Sequence, residues 1–387
     1  VRILFTRFPL ESAYGGAEVQ TISLMKGLME RGHAVAFAGS CPVLLELCKK
    51  EHIPCAEVEI GVPPVTTWGA LSFAWRKKRM RRILKTILNN FSGVETRDSR
   101  VSTKTGIDVV CMLSLSEKLL LTTDAATQGT KVIWIEHDRI GRWLTQNPWL
   151  PLLLKQSGHA ITVPVSHLSA ALYQSLGWDP ATINAIPNGI DPMRFPAGVQ
   201  TRETRVSTQG IHLLCIARLS QEKGVDVLIE AMAGLPDSFT LEIAGTGREE
   251  RALKDLVEKL NLSARITFSG YQKNLEPVYA RASALILPSR DNDPFGLVAA
   301  EAMMQGIAVI VTDQCGIAGY LEDGVDAIIT KADSVLALTK AIKRLSTEGE
   351  KVAINGKKTA LEKFSMKRMV EDYEHVFTEA SPLTPSR

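Results

Sequence analysis

The sequence predicts an α/β protein made of two doubly wound parallel sheets, and three observations carry that prediction. Short β-branched, apolar runs alternate with longer stretches of helical period, the pattern of parallel strands covered by helices on both faces. The pattern runs its course and then starts again. Residues 2–6, 34–39, 107–113, 131–136 and 160–165 read as strands of a first half, and 212–216, 240–244, 265–269, 284–287 and 308–311 as strands of a second. Finally, 387 residues exceed one ordinary α/β domain and suit two of about 150–200 residues each.

The halves part at Ile186-Pro187-Asn188-Gly189-Ile190-Asp191-Pro192, where prolines and a glycine interrupt regular structure and a polar stretch, 197–210, follows. The expected organisation is a first domain over 1–190, a linker or insert over 191–210, a second domain over 211–365, and a C-terminal helix and tail over 366–387 that can pack back on the first domain. Residues 94–103 and 199–208 are nearly the same peptide, yet the strands and helices around them do not repeat. Both are therefore expected to be exposed loop inserts, the first lying near 92–106, without a catalytic role.

Composition narrows the class further. A hydrophobic fraction of 45% and a charged fraction of 22% belong to an ordinary globular protein, and a net charge of +3 gives no call for nucleic acid. No run of about 18 apolar residues and no leader-like start is present, so the expectation is a cytoplasmic protein. The six cysteines follow neither metal-binding nor small-scaffold spacing and read as buried thiols.

Open parallel sheets bind ligands at the carboxyl ends of their strands, so chemistry is sought in the loops that follow them. Gly15 and Gly16, after the first strand and before a helix pattern, allow close backbone approach to a phosphate or sugar, or simply a tight turn. Arg218 and Lys223 follow the first strand of the second half, where two cations can converge on a diphosphate or remain solvated. Gly245 and Gly247 follow the next strand and lack the third glycine of a dinucleotide fingerprint. The richest run begins at Pro288 and includes Asp291-Asn292-Asp293-Pro294-Phe295-Gly296-Leu297 and Glu301. Pro294 suits the first turn of a helix, so that Phe295, Gly296 and Leu297 present amides to an anion. Asp293 and Glu301 then offer two carboxylates, one for a sugar and one for a ribose. Asp293 also suits a helix cap, and Asp291 with Asp293 spells a triplet able to hold a divalent metal.

A cationic run, Arg76, Lys77, Lys78, Arg79, Arg81, Arg82 and Lys85, is interleaved with Trp68, Leu71, Phe73, Trp75, Met80, Ile83, Leu84, Ile87 and Leu88. As a helix it is either an element lying in an anionic membrane interface or a core-facing helix with a solvated basic face.

Taken together, these residues resemble glycosyltransferase family 4, whose members have the GT-B fold. The resemblance spans most of the chain: Gly15-Gly16, Glu136-His137-Asp138, Pro187-Asn188-Gly189-Ile190-Asp191, the Arg218 and Lys223 pair, and residues 294–301 followed by Gly306, Val309 and Thr312. It implies two Rossmann-like domains facing each other across a cleft. It further implies transfer of a hexose from a UDP-, GDP- or ADP-linked donor with retention, without an obligatory metal or other cofactor. The acceptor it implies is a glycan or lipid-linked molecule of bacterial envelope polysaccharide or lipopolysaccharide. Arg218 and Lys223 would hold the diphosphate, the amides near Gly296 and Leu297 the sugar and phosphate, Glu301 the ribose, and His137 would sit beside the sugar. The family has glutamate at both ends of its acidic-x7-Glu motif, and here the first position is Asp293. Relatives that meet lipid-linked acceptors favour the membrane account of the basic run, on the inner face of the membrane. A nucleotide-sugar epimerase and a non-catalytic sugar-nucleotide binder are the alternatives.

Overall fold

The computed structural model describes residues 1–10, 15–90, 106–138, 140–191 and 210–378. The chain divides into two compact units, Val1–Ile186 with Met369–Arg387, and Pro187–Arg368. The twin peptides at 94–103 and 199–208 and nearly all of the expected linker lie outside the described residues.

The first unit holds β1 (Arg2–Arg7), β2 (Ala34–Gly39), β3 (Cys55–Glu57), β4 (Val109–Met112), β5 (Lys131–Glu136) and β6 (Ile161–Pro164). The second holds β7 (Ile211–Ile216), β8 (Phe239–Ala244), β9 (Ile266–Gly270), β10 (Ala284–Leu287), β11 (Ala308–Thr312) and β12 (Ile328–Thr330). Every pairing is parallel, in the orders β3-β2-β1-β4-β5-β6 and β12-β11-β10-β7-β8-β9. Counted from the first strand of each unit, both sheets have the same 3-2-1-4-5-6 order, that of a Rossmann fold.

The central strands are apolar along their whole length because helices cover both faces. Phe5, Val110 and Ile133 in the first sheet and Leu213, Ile286 and Ile310 in the second are fully buried. The long helix Val335–Lys363 shows how such cover is encoded. Leu338, Ala341, Ile342 and Leu345 recur at helical spacing and are buried in the core of the second unit. Cutting Leu345 back to alanine there would cost about 2–5 kcal/mol.

Two strands escaped the sequence reading, β3 and β12. Each is three residues long and lies at a sheet edge, too short to show a period and partly exposed. Cys55 on β3 is only partly buried, so the reading of all six cysteines as buried thiols holds for the other five.

What matters for function is where strand order reverses, between β1 and β4 in the first sheet and between β7 and β10 in the second. The loops leaving the carboxyl ends of those neighbours run to opposite faces and leave a crevice between them.

Candidate active site

In the second unit the two loops flanking the reversal are 217–224, after β7, and 288–296, after β10. They meet through side chains. Lys223 Nζ lies 2.5 Å from Asp293 Oδ2, and the Ser289 hydroxyl donates to the same oxygen at 3.0 Å. The pair is largely enclosed, its side chains 21% and 7% exposed. Backbone bonds hold both loops in register. Arg290 N donates to Glu222 O at 2.9 Å, Asp293 N to Gln314 O at 2.8 Å, and Gly316 N to Asp293 O at 2.8 Å. The Arg290 guanidinium adds a clamp on Asp226 at 2.7 Å and Asp333 at 2.6 Å.

The expected helix start at Pro294 is corrected, for the helix is Leu297–Met304. The peptides of Asp293 and Phe295 are tied instead to the segment after β11, with Ile317 N donating to Phe295 O at 2.7 Å. Gly296 then turns the chain with φ 97° and ψ 54°, a left-handed conformation that, with Leu287 packed closely against it, only glycine accommodates. Phe295 points its ring into an aromatic group with Tyr320 and Phe364. Ala299 N and Ala300 N donate to Gly296 O at 3.0 and 3.4 Å, which leaves the amides of Leu297 and Val298 as those the helix start offers to an anion.

Glu301 sits one turn into this helix, buried, with its Oε2 accepting from the Tyr279 hydroxyl at 2.8 Å. Sequence reasoning missed Tyr279 and Ser289 as members of the constellation. Ser289 lies inside the acidic run, but Tyr279 belongs to a separate helix, Glu276–Arg281, and carries no local signal. Arg218 is 72% exposed and touches Glu222 at 3.5 Å, so it is not drawn into the Lys223–Asp293 cluster. Gly245 and Gly247 explain themselves by packing. A Cβ on either would strike the backbone of Ala217 or Leu219, so these glycines let the loop after β8 lie against the loop after β7. Among the described residues no group of three or more His, Cys, Asp or Glu side chains is placed to hold a metal ion.

In the first unit Gly15 is the extended N-cap of the helix Gly16–Glu30, whose first turn presents Glu18 to Arg7 at the end of β1, 2.7 Å away and buried. His137 follows β5. Its ring is partly exposed, but Nδ1 is enclosed and has no partner among the described residues. Burial, then the nearby Arg7 and Lys118, push its pKa down to about 3. Glu136 is engaged by Lys118 at 2.8 Å and by Tyr173, leaving a neutral imidazole. Beside these residues, at the β1–β4 reversal, lies a cavity of about 510 Å³.

Two family matches cover almost the whole chain. Residues 14–194 match Glycosyltransferase Family 4, and residues 200–360 match the glycosyl transferases group 1. The chain belongs to glycosyltransferase family 4. The paired Rossmann-like units are those of its GT-B fold. This family 4 chain is 30% identical over 275 residues to an exopolysaccharide phosphotransferase of Streptomyces coelicolor, a stretch making up 69% of this chain and 28% of that protein. It is 27% identical over 164 residues to the lipopolysaccharide core biosynthesis glycosyltransferase LpsE of Rhizobium meliloti, covering 42% of this chain and 48% of LpsE. The matches thus span about half or less of these relatives' own lengths. Among solved structures, HepE of Anabaena in complex with UDP matches with a TM-score of 0.78 at 18% identity, over 98% of this chain and 100% of that one.

The basic run of the family 4 chain lies on the helix Thr67–Asn90, and the structure divides its faces. Phe73, Met80, Leu84, Ile87 and Leu88 are core residues, which corrects their assignment to a membrane-facing side. Trp68, Leu71 and Trp75 are 78%, 62% and 91% exposed. Lys78 and Arg82 continue that stripe at spacings of three and four residues. Arg81 and Lys85 are held by Asp124 at 2.7 and 3.0 Å, Arg76 donates to Val62 O at 2.8 Å, and Lys77 lies over the Trp149 ring. Among the described residues Lys78, Arg79 and Arg82 form no ion pair. No helix among them is long and apolar enough to cross a membrane.

Proposed function

We propose that this chain transfers a hexose from a nucleotide-diphosphate sugar to a glycan or lipid-linked acceptor of bacterial envelope polysaccharide or lipopolysaccharide, with retention and without an obligatory metal ion. One observation carries the reading: Lys223, Asp293 and Ser289 converge across the β7–β10 reversal, beside the free amides of the helix at Leu297. A donor diphosphate at this edge would meet the Lys223 ammonium and those amides, and Arg218 is exposed enough to swing onto it. Their positive charge would stabilise the nucleoside diphosphate as the sugar–phosphate bond breaks. Asp293, fixed by two donors, would accept from sugar hydroxyls, and Glu301, fixed by Tyr279, from the ribose. The neutral His137 would offer a hydrogen bond near the sugar without adding charge. The names of the relatives support this direction, LpsE through its acceptor class and HepE through its bound UDP.

The test is a thermal-shift screen against UDP-, GDP- and ADP-glucose. A donor at a hundred times its dissociation constant stabilises by about 2.7 kcal/mol. One nucleotide should raise Tm by several degrees in the wild type and not in Lys223→Ala; no response to any of them contradicts the donor site.

A second element of the reading is docking on an anionic membrane surface, supported by the exposed Trp68, Leu71 and Trp75 beside Lys78 and Arg82, which form no ion pair among the described residues. Tryptophans suit the headgroup level, and each basic residue near an anionic surface adds about 1 kcal/mol. Wild type should sediment with phosphatidylglycerol vesicles at low salt, and Trp68→Ser with Trp75→Ser and Lys78→Ser should stay in solution. Equal distribution of the two proteins removes the membrane.

A further inference from the structure

Arg290 precedes the acidic triplet Asp291-Asn292-Asp293, and its side chain is directed at three other segments of the second unit. Nη2 donates to Asp226 Oδ2 at 2.7 Å, Nε to Asp333 Oδ1 at 2.6 Å and Nη1 to Gln221 O at 2.9 Å. Asp226 lies in the first turn of the helix Val225–Ala233, Asp333 just before Ser334, the N-cap of the helix Val335–Lys363, and Gln221 in the loop that carries Lys223. A guanidinium is planar and holds its donors in a fixed fork, so acceptors on three segments define where it sits. Its own backbone N donates to Glu222 O at 2.9 Å, next to Lys223, and Asp293 follows three residues later. One residue thus holds the chain on either side of the Lys223–Asp293 contact. The backbone around it needs holding. Asn292 and Asp333 take φ 30° and 54°, and Asn292 is buried with an Oδ1 that has no partner among the described residues. Left-handed residues other than glycine persist where surrounding contacts fix them, and they gather at functional sites.

We infer that Arg290 is a positioning residue for transfer, acting through Lys223 and Asp293 and making no contact with the donor. The inference rests on the reading of Lys223 as a cation at the donor diphosphate. The charge of Arg290 is matched by two carboxylates, which leaves little of it to attract a phosphate. What the side chain contributes is geometry. Without the fork, Gln221 O loses its donor, and Asp226 and Asp333 lose the cation they share. Lys223 is then held against Asp293 by fewer bonds, and a displacement of about 1 Å in an active site can cost on the order of a hundredfold in rate. Lys223 meets charge that develops as the sugar–phosphate bond breaks, so its displacement lowers kcat more than it raises the donor KM. The amides of Leu297 and Val298 and the Glu301 carboxylate still bind the ground state.

The experiment is steady-state release of nucleoside diphosphate from whichever of UDP-, GDP- and ADP-glucose stabilises the wild type best. The proteins are wild type, Arg290→Gln, Arg290→Lys, Lys223→Ala, Arg290→Gln with Lys223→Ala, and Asp226→Ala with Asp333→Ala, each assayed well below its own Tm. Arg290→Gln should lower kcat about tenfold or more with the donor KM within about threefold. Arg290→Lys keeps the charge and gives up the fork, so it should recover less than about a third of the wild-type kcat. Asp226→Ala with Asp333→Ala should lower kcat as Arg290→Gln does, because the clamp is undone from its other side. In the Lys223→Ala background Arg290→Gln should lower the rate by less than about threefold, since no lysine is left to position. A guanidinium acting directly on the donor gives the reverse: Arg290→Lys near wild type, and a higher kcat or lower KM once Asp226 and Asp333 no longer neutralise it. Either of those results, independent losses in Arg290→Gln with Lys223→Ala, or a wild-type kcat in Arg290→Gln would overturn the inference and leave the proposed function standing. A wild-type rate in Lys223→Ala would instead strike the proposed donor site, and the inference with it.

Discussion

The Lys223–Asp293 pair makes a quantitative prediction. Changing Lys223 to methionine leaves the Asp293 carboxylate, 7% exposed, with the Ser289 hydroxyl as its remaining side-chain donor in the cluster. Removing one partner of a buried pair costs about 3–5 kcal/mol, and the partial exposure of Lys223 lowers that to about 2–3 kcal/mol. In a unit of this size each kcal/mol moves Tm by about 2–4 °C, so a fall of about 5–10 °C is expected. Asp293→Asn keeps a Ser289 contact and strands an ammonium that water can reach, so it should cost less. The double variant should lose about 1–3 kcal/mol less than the sum of the single losses, because the second change removes the charge that the first left unpaired. Urea melts of the four proteins measure this. Losses that add within about 0.5 kcal/mol would refute the pairing as the source of the stability.

Three further outcomes are expected of the same fold. Glu117 is fully buried and burial raises its pKa to about 7 from an ordinary 4.5. The unfolded chain therefore ionises first, and the fold loses about 3 kcal/mol as pH rises from 4.5 to 7. Glu117→Gln should accordingly raise Tm relative to wild type at pH 8 and not at pH 4, and equal offsets at both would contradict the buried neutral carboxyl. Gly245→Ala places a Cβ against the Ala217 carbonyl at φ 139°, so its unfolding free energy should fall by several kcal/mol, visible as a lower midpoint in urea titration. If Lys223 and Arg218 supply the cationic charge as proposed, transfer should survive EDTA. Loss on chelation restored by manganese would return Asp291 and Asp293 to a metal-binding role.

The sequence disclosed the two sheets because their central strands are buried on both faces and read as continuous apolar runs. It did not disclose β3 or β12, where three residues at an edge carry no period. The acidic run was visible, but its geometry was not. Pro294 matched a helix start locally, whereas bonds from Asp293 and Phe295 to residues 314–317 delay that start to Leu297. The link between Lys223 and Asp293 joins positions 70 apart, and that between Tyr279 and Glu301 positions 22 apart, so neither has a local signature. Periodicity alone could not divide the basic helix either. Packing decides that Met80 and Leu84 are core while Trp68 and Trp75 face water.

The central claim is that the second unit's Lys223 and Glu301 act on a nucleotide sugar. It is tested most directly by release of nucleoside diphosphate from the donor that stabilises the protein best, compared among wild type, Lys223→Ala and Glu301→Gln. With both variants folded by circular dichroism, each rate should fall more than about tenfold, equivalent to about 1.4 kcal/mol or more of lost transition-state stabilisation. Rates within twofold of wild type in both variants would place the chemistry elsewhere.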